Sequence, residues 1–142
     1  MWPGPQEQED ERPVPPIEQM QRPPLHYLEK LGKQGIFTTG LLLEVSETPT
    51  RRQYLADQLG ATTNDVNDWR DEALVLNLAG FGADEQVLFA QAGIVGLGDL
   101  LGLDVRAFSD RLVEAARILA VDPPTALRIE GWWEQAQTLH EG

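Results

Sequence analysis

The chain has 142 residues, of which 42% are hydrophobic and 24% are charged, a composition that fits one globular domain with a core. Its 11 Lys and Arg stand against 23 Asp and Glu, so the formal net charge of -12 repels phosphate backbones and anionic lipid surfaces. Without cysteine the chain can form no disulfide, thiolate nucleophile, iron-sulfur cluster or thiolate zinc site. We expect no cofactor and no metal.

The N-terminal sequence is acidic and rich in proline, whereas a secretory signal is basic and then apolar. No apolar run approaches the roughly 20 residues that a membrane-spanning helix needs. The sequence therefore predicts a cytoplasmic protein without membrane insertion, and it leaves the oligomeric state open.

Residues 1–24 hold seven of the ten prolines and five acidic side chains, with few apolar residues. Such a segment buries too little surface to offset the entropy lost on ordering. We predict a disordered arm here, with a docking peptide or spacer as the alternative, and a folded domain over residues 25–142.

The folded domain shows short apolar-periodic segments without a strand-like alternation, which predicts helices throughout. Gly60 is the predicted left-handed residue that ends one of them. Helix starts are predicted where a side-chain oxygen can cap the first turn, at Thr48-Pro49, Thr62 with Asp65, Asp104 and Asp122-Pro123.

The two halves of this domain, residues 25–77 and 78–140, match each other. Residues 35–42 align with residues 93–100, and each segment opens on Gly-Ile and closes on Leu. An apolar stripe typical of the buried face of a helix also recurs, first as Val66, Trp69, Ala73 and Leu76 and then as Ile129, Trp132, Ala136 and Leu139. We predict an all-α, compact bundle of two repeated units, each too small to hold a core alone.

Between the halves lies an apolar-x-Gly-apolar-Gly element, Leu78-Ala79-Gly80-Phe81-Gly82, which suits a tight hairpin between helices. This pattern is the helix-hairpin-helix signature. Gly80, Phe81 and Gly82 are the candidate hairpin contact, and the alternative is that they act only as hinge and packing residues. We expect Phe81, and Phe37 in the first turn, to be buried plugs.

One set of residues carries a family resemblance: the Gly35-Ile36 and Gly93-Ile94 turns, Thr48-Pro49 with Arg52 and Leu55-Ala56, Asp68-Trp69, Ala73-Leu74 and the segment Leu78 to Gly82. Through them the chain resembles, over Leu25 to Leu139, the tandem helix-hairpin-helix domain described as domain of unknown function 4332. The resemblance implies a compact bundle of hairpin units, similar to those of many DNA-binding and DNA-repair proteins, and it implies no activity. The first half lacks a Gly-x-Gly upstream of Gly35, which indicates a worn or truncated unit.

In a DNA-binding helix-hairpin-helix, the hairpin amides and the next helix N-terminus receive a phosphate, helped by a following Lys or Arg. Here Asp84 and Glu85 follow Gly82, and Asp99 follows the matching turn at Gly93. Because these carboxylates repel and occupy the phosphate position, nucleic-acid binding through Gly80 to Gly82 is the alternative function and not the leading one.

Trp69 and Trp132 hold matching positions on the predicted buried stripes, so both are assigned to the core. Trp133 lies about 100° round the helix from Trp132, and Arg70 stands at its matching position. Trp133 either packs under a neighbouring loop or anchors a partner, and it is the candidate partner-binding residue.

The remaining polar groups predict no catalytic site. His26 and His140 lie near opposite ends of the chain, with no Ser, Asp or second His at a suggestive spacing. The nearest basic cluster, Arg51-Arg52 with Arg70, is expected to be a solvated helix face. The predicted function is a non-catalytic protein-protein interaction or scaffold module, not an enzyme.

Overall fold

A computed structural model describes residues 15–141, in which the regular elements are eight α-helices and one 3-10 turn, Ile17–Gln19. The all-α prediction is confirmed for this part of the chain. The helices are α1 Leu25–Lys33, α2 Thr39–Val45, α3 Pro49–Leu59, α4 Thr63–Leu76, α5 Ala83–Gln91, α6 Leu97–Leu101, α7 Val105–Leu119 and α8 Ala126–Glu141.

Cap chemistry sets the boundaries of α3 and α4 as the sequence predicts. The Thr48 hydroxyl accepts the Arg51 N–H at 3.1 Å at the start of α3. Gly60 ends this helix in the left-handed conformation, with φ at 70°. Thr62 and Asp65 form the predicted capping box at the start of α4.

The two last helices also begin at side-chain caps, one of them at an unexpected residue. The Asp104 carboxylate accepts the Ala107 N–H at 2.8 Å at the start of α7, as predicted. The predicted start of α8 at Asp122-Pro123 is wrong. The Thr125 hydroxyl caps this helix instead, because it accepts the Arg128 N–H at 3.2 Å.

Several contacts between helices recur in the two halves of the chain. In the first half α4 contacts α2 and α3, and α1 contacts α3. In the second half α8 contacts α6 and α7, and α5 contacts α7. Contacts between α4 and α6 join the halves, so their apolar faces form one core. Trp69 and Trp132 lie within it, with 3% and 2% of their surface exposed, which confirms their assignment.

Residues 15–24 form an N-terminal strap that packs on the helices. Ile17 and Met20 are buried, with 1% and 4% of their surface exposed. The backbone N–H groups of Gln21 and Arg22 donate to the buried carboxylate of Glu72 at 2.7 and 2.9 Å. The structure thus differs from the predicted arm over residues 15–24, since two apolar plugs and one buried acceptor hold the strap in place. Residues 1–14 of that predicted arm lie outside the described residues.

Phe37 is 60% exposed, so the prediction that it is a buried plug is wrong. Its carbonyl accepts the Ile17 N–H at 2.8 Å, and its neighbour Thr38 forms a β-bridge with Pro16. Successive side chains along extended backbone point to opposite sides. The burial of Ile36 in the core therefore turns Phe37 towards the solvent.

Candidate functional site

The predicted hairpin lies between α4 and α5, and its apolar residues face inwards. Gly80 adopts a left-handed conformation with φ at 70°, which glycine reaches without steric cost. Leu78 and Phe81 are buried on either side of it. The Phe81 ring packs edge-on against Phe89 at a centroid distance of 4.8 Å, so Phe81 is confirmed as a plug.

The hairpin's last amide is occupied by a carboxylate of the protein itself. The Gly82 N–H donates to Oε1 of Glu85 at 2.9 Å, and the Arg128 guanidinium donates to Oε2 at 3.3 Å. Arg128 also donates to the Gly80 carbonyl at 3.2 Å and lies over the Trp132 ring at 4.6 Å. Partial burial works to raise the pKa of Glu85, but these backbone and guanidinium hydrogen bonds outweigh it and hold the pKa below its ordinary value.

The turn between α5 and α6 is filled in the same way. The Asp99 carboxylate accepts the N–H groups of Val95 and Gly96 at 3.0 and 3.1 Å. The Asp71 carboxylate accepts the Gly98 N–H at 3.0 Å. A Cβ at Gly96 would collide with the Asp71 carboxylate and the Arg22 guanidinium, so any other residue here would displace these two side chains.

The guanidinium of Arg22, in the N-terminal strap, neutralises part of this charge. It lies 3.0 Å from the Asp71 carboxylate and 3.6 Å from that of Asp99. Of the acidic residues predicted at the two turns, Glu85 and Asp99 thus contact backbone amides, the groups that a phosphate would need, whereas Asp84 lines a groove beside the hairpin.

Trp133 is half-buried, and its indole Nε1 donates to the Leu103 carbonyl at 3.0 Å. Arg70, which stands 63 positions earlier, donates to the Leu43 carbonyl at 2.9 Å. Each side chain therefore ties the end of a short helix, α6 or α2, to the last helix of the same half, α8 or α4. Trp132, by contrast, donates to the Ala79 carbonyl at 2.7 Å and supports the hairpin.

Two of the three arginines predicted to form a solvated face hold the link between α2 and α3. Arg52 donates through Nε to the Ser46 carbonyl at 2.9 Å, and Arg70 donates to the Ser46 hydroxyl at 2.7 Å. Burial lowers the pKa of Arg70, and the nearby charge of Arg52 lowers it further. Arg51 is exposed, as expected.

A groove of about 490 Å³ opens beside the hairpin, between α5 and the link from α7 to α8. We call it the α5–α7 groove. Val87 and Val121 are its most exposed apolar residues, at 57% and 53%. Its lining consists of apolar Val87, Leu88, Leu119, Val121 and Pro124 and charged Asp84, Glu85, Asp122 and Arg128.

The corresponding place in the first half is filled by side chains. The Tyr27 hydroxyl donates to the Gly60 carbonyl at 3.2 Å, and the Lys30 ammonium donates to the Leu59 carbonyl at 2.9 Å.

In the second half these two side chains are replaced. Glu85 and Leu88 stand 58 positions after Tyr27 and Lys30 and offer no such donor. The groove results from the different side chains at these two positions. It also results from a longer link between the helices, which spans 120–125 in the second half and 60–62 in the first. For these reasons the sequence did not predict it.

The strap corresponds in position to the hairpin, a match that was not predicted from the sequence. Met20 and Pro23 are buried just before α1, as Leu78 and Phe81 are just before α5. The offset is again 58 positions, the same offset that relates Gly35 to Gly93. Extending that offset backwards along the chain could have found this match.

In the part of the chain that the structure describes, no helix has the length and apolar character to cross a membrane. Residues 25–139 match the model of a family described as "Domain of unknown function (DUF4332)", and the chain belongs to this family. No curated protein and no solved structure matches the chain significantly.

Proposed function

We propose that the chain is a non-catalytic protein-interaction module built from two helix-hairpin-helix-like units, in which the second unit carries the binding surface. The main support for this proposal is the α5–α7 groove, where apolar side chains are exposed beside a hairpin whose Leu78 and Phe81 are buried. Contiguous exposed apolar surface with a polar rim is typical of protein-binding sites.

The close correspondence of the turns supports the two-unit part of the proposal. Gly35 and Gly93 have φ angles of 83° and 81°. In the residue after each of these glycines the N–H donates back to the preceding helix, from Ile36 to the Leu31 carbonyl at 2.9 Å and from Ile94 to the Phe89 carbonyl at 2.8 Å. Three of the helix pairs that contact each other in the first half also have a counterpart in the second, and the α2–α3 pair has no equally close one among the described helices.

The filled turn amides weigh against the alternative, a nucleic-acid-binding hairpin. A phosphate at Gly82 would have to displace the Glu85 carboxylate and part it from Arg128. A phosphate at the turn before α6 would have to displace Asp99. Both displacements would leave a carboxylate beside the incoming anion, which adds repulsion to the loss of hydrogen bonds.

Affinity capture from the native source, followed by mass spectrometry, tests the proposed function. The full chain is compared with Val121→Lys in the groove and with Tyr54→Lys, a matched control on α3, since Val121 and Tyr54 are both well exposed at 53% and 66%. We expect at least one protein to be retained by the full chain and by the control, and lost from the groove variant. Failure to retain any protein under conditions that preserve weak contacts would contradict the proposal.

A further inference from the structure

We propose that the α5–α7 groove binds a peptide segment in which a Lys or Arg follows or precedes an aliphatic residue. The basic side chain would lie at the C-terminal end of α7, and the aliphatic one against Val87 and Val121. This inference rests on the proposed function and names the class of partner for that same surface.

The first half of the molecule shows the arrangement that the groove lacks. There the Lys30 ammonium lies 2.9 Å from the carbonyl of Leu59, the last residue of α3. The same ammonium lies 5.5 Å from the centroid of the Tyr27 ring, so a cation sits between a helix C-terminus and an aromatic surface. The protein thus already places a lysine at one of the two corresponding helix ends.

The end of α7 has the backbone geometry of the end of α3. The Val121 N–H donates to the Ala116 carbonyl at 3.0 Å, as the Ala61 N–H donates to the Ala56 carbonyl at 2.8 Å. Both helices therefore end in the same type of turn and present the partial negative charge of a helix C-terminus. At the lysine position the second half has Leu88, which is buried.

The charges that line the groove select a cation. Three carboxylates, those of Asp84, Glu85 and Asp122, line it against the single guanidinium of Arg128. Arg128 is already engaged, since it contacts the Glu85 carboxylate and the Gly80 carbonyl. The net negative lining adds to the field of the α7 C-terminus and attracts a basic group.

Charge also argues against the two occupants that the chain itself could supply. A second copy carries the same net charge of -12. Residues 1–14 contain four acidic side chains and one arginine. Each would bring acidic surface to a groove with an acidic lining, so we commit to a basic and aliphatic segment of another protein.

The test starts from the full chain and a phage-displayed library of random dodecapeptides, with counter-selection against Val121→Lys, which removes an aliphatic contact and repels a basic side chain. We expect the enriched peptides to combine Lys or Arg with an adjacent aliphatic residue. A synthetic peptide of the enriched sequence is then titrated by fluorescence anisotropy against the full chain, Asp122→Lys in the groove and Asp57→Lys on α3. Asp122 and Asp57 are both exposed, so the two reversals change the net charge alike, one within the lining of the groove and the other outside it.

We expect Asp122→Lys to weaken binding of the peptide about tenfold and Asp57→Lys to change it less than about twofold. The reason is that salt screens an exposed charge beyond roughly a Debye length, so a charge in the groove lining acts on the bound peptide more strongly than one outside it. Enriched peptides without basic residues, or binding that the two reversals affect equally, would overturn this inference and leave the proposed function standing. Absence of any enriched peptide, together with absence of a captured partner, would overturn both.

Two measurements test whether the chain itself fills the groove. Sedimentation of the full chain tests for a second copy, and nuclear magnetic resonance spectra with and without residues 1–14 test for that segment. We expect a monomer, with unchanged resonances at Val87 and Val121 after the deletion. A dimer that Val121→Glu dissociates would show that a second copy fills the groove, and shifted groove resonances would show that residues 1–14 fill it. Either result would overturn the inference.

Discussion

Ala120 ends α7 in a conformation that favours glycine, and its replacement by glycine should stabilise the protein. Among the described residues, it is the only non-glycine residue with positive φ, at 58° with ψ at 43°. Gly60 holds the corresponding position at the end of α3, with φ at 70° and ψ at 29°. The two residues therefore form a matched pair in which substitutions in opposite directions should have opposite effects.

The magnitude follows from two opposing terms. Left-handed backbone costs an L-residue about 1–2 kcal/mol, whereas the extra freedom that glycine gives the unfolded chain costs about 0.4–1 kcal/mol. Ala120→Gly should therefore raise the free energy of unfolding by about 1 kcal/mol, and Gly60→Ala should lower it by a similar amount. A Cβ at Gly60 would meet only the Lys30 ammonium, at an ordinary 3.7 Å, so backbone strain dominates that change.

Urea denaturation followed by circular dichroism measures both changes, and Ala79→Gly is the control. Ala79 is exposed, lies outside the helices and does not have positive φ. Its replacement should destabilise the protein by about 0.4–1 kcal/mol through the unfolded state alone. Ala120→Gly should also raise the melting temperature by about 3 °C. If Ala120→Gly destabilises the protein as Ala79→Gly does, the left-handed assignment of Ala120 is refuted.

Three further substitutions test the strap, the half-buried tryptophan and the hairpin carboxylate. Glu72→Ala should cost about 2–4 kcal/mol and speed exchange of the Arg22 amide, because two backbone N–H groups of the strap lose a buried, charged acceptor. Slow exchange at that amide would contradict this. Trp133→Phe should cost about 1 kcal/mol in urea denaturation through loss of the hydrogen bond to Leu103, and unchanged stability would argue for an anchor in place of packing. Glu85→Gln should lower the free energy of unfolding, and this loss should be complete at pH values above the ordinary pKa of a glutamate. The difference between the two proteins should disappear as the pH falls through the lowered pKa of Glu85 in the folded protein, since only the ionised carboxylate gains from these contacts. Thermal unfolding as a function of pH measures it, and a difference that grows in acid would contradict the assignment.

Local chemistry made much of the fold predictable. A hydroxyl before a proline at Thr48, a glycine at position 60 and the pairing of Thr62 with Asp65 each act within one helical turn, so the sequence alone determines their effect. The buried placing of Trp69 and Trp132 followed from helical periodicity, which depends only on spacing.

Contacts between distant parts of the chain could not be predicted in this way. Glu72 is an ordinary acidic residue in the sequence, and only the fold brings it within 2.7 Å of the Gln21 N–H. The exposure of Phe37 depends on the strap that pairs with its backbone. The start of α8 required a choice between two capping signals, and Thr125 rather than Asp122 caps the first turn.

The candidate site was predictable in part. The acidic residues of the turns were identified from the sequence, and the structure shows which amides they occupy, with Glu85 on Gly82 and Asp99 on Gly96. The α5–α7 groove was not predicted, because a groove is a property of what the neighbouring side chains leave open. Comparison of Lys30 with Leu88 identifies it only once both helix ends have been seen in three dimensions.

The most direct test of the claim that this is a protein-binding and not a nucleic-acid-binding module is a titration at low salt. Labelled duplex and single-stranded oligonucleotides are followed by fluorescence anisotropy as the full chain is added up to about 100 µM, the weak end of the range for nonspecific binding. Because Glu85 and Asp99 occupy the turn amides, we expect no change in anisotropy for either oligonucleotide. A saturable rise that disappears as salt is added would contradict the account.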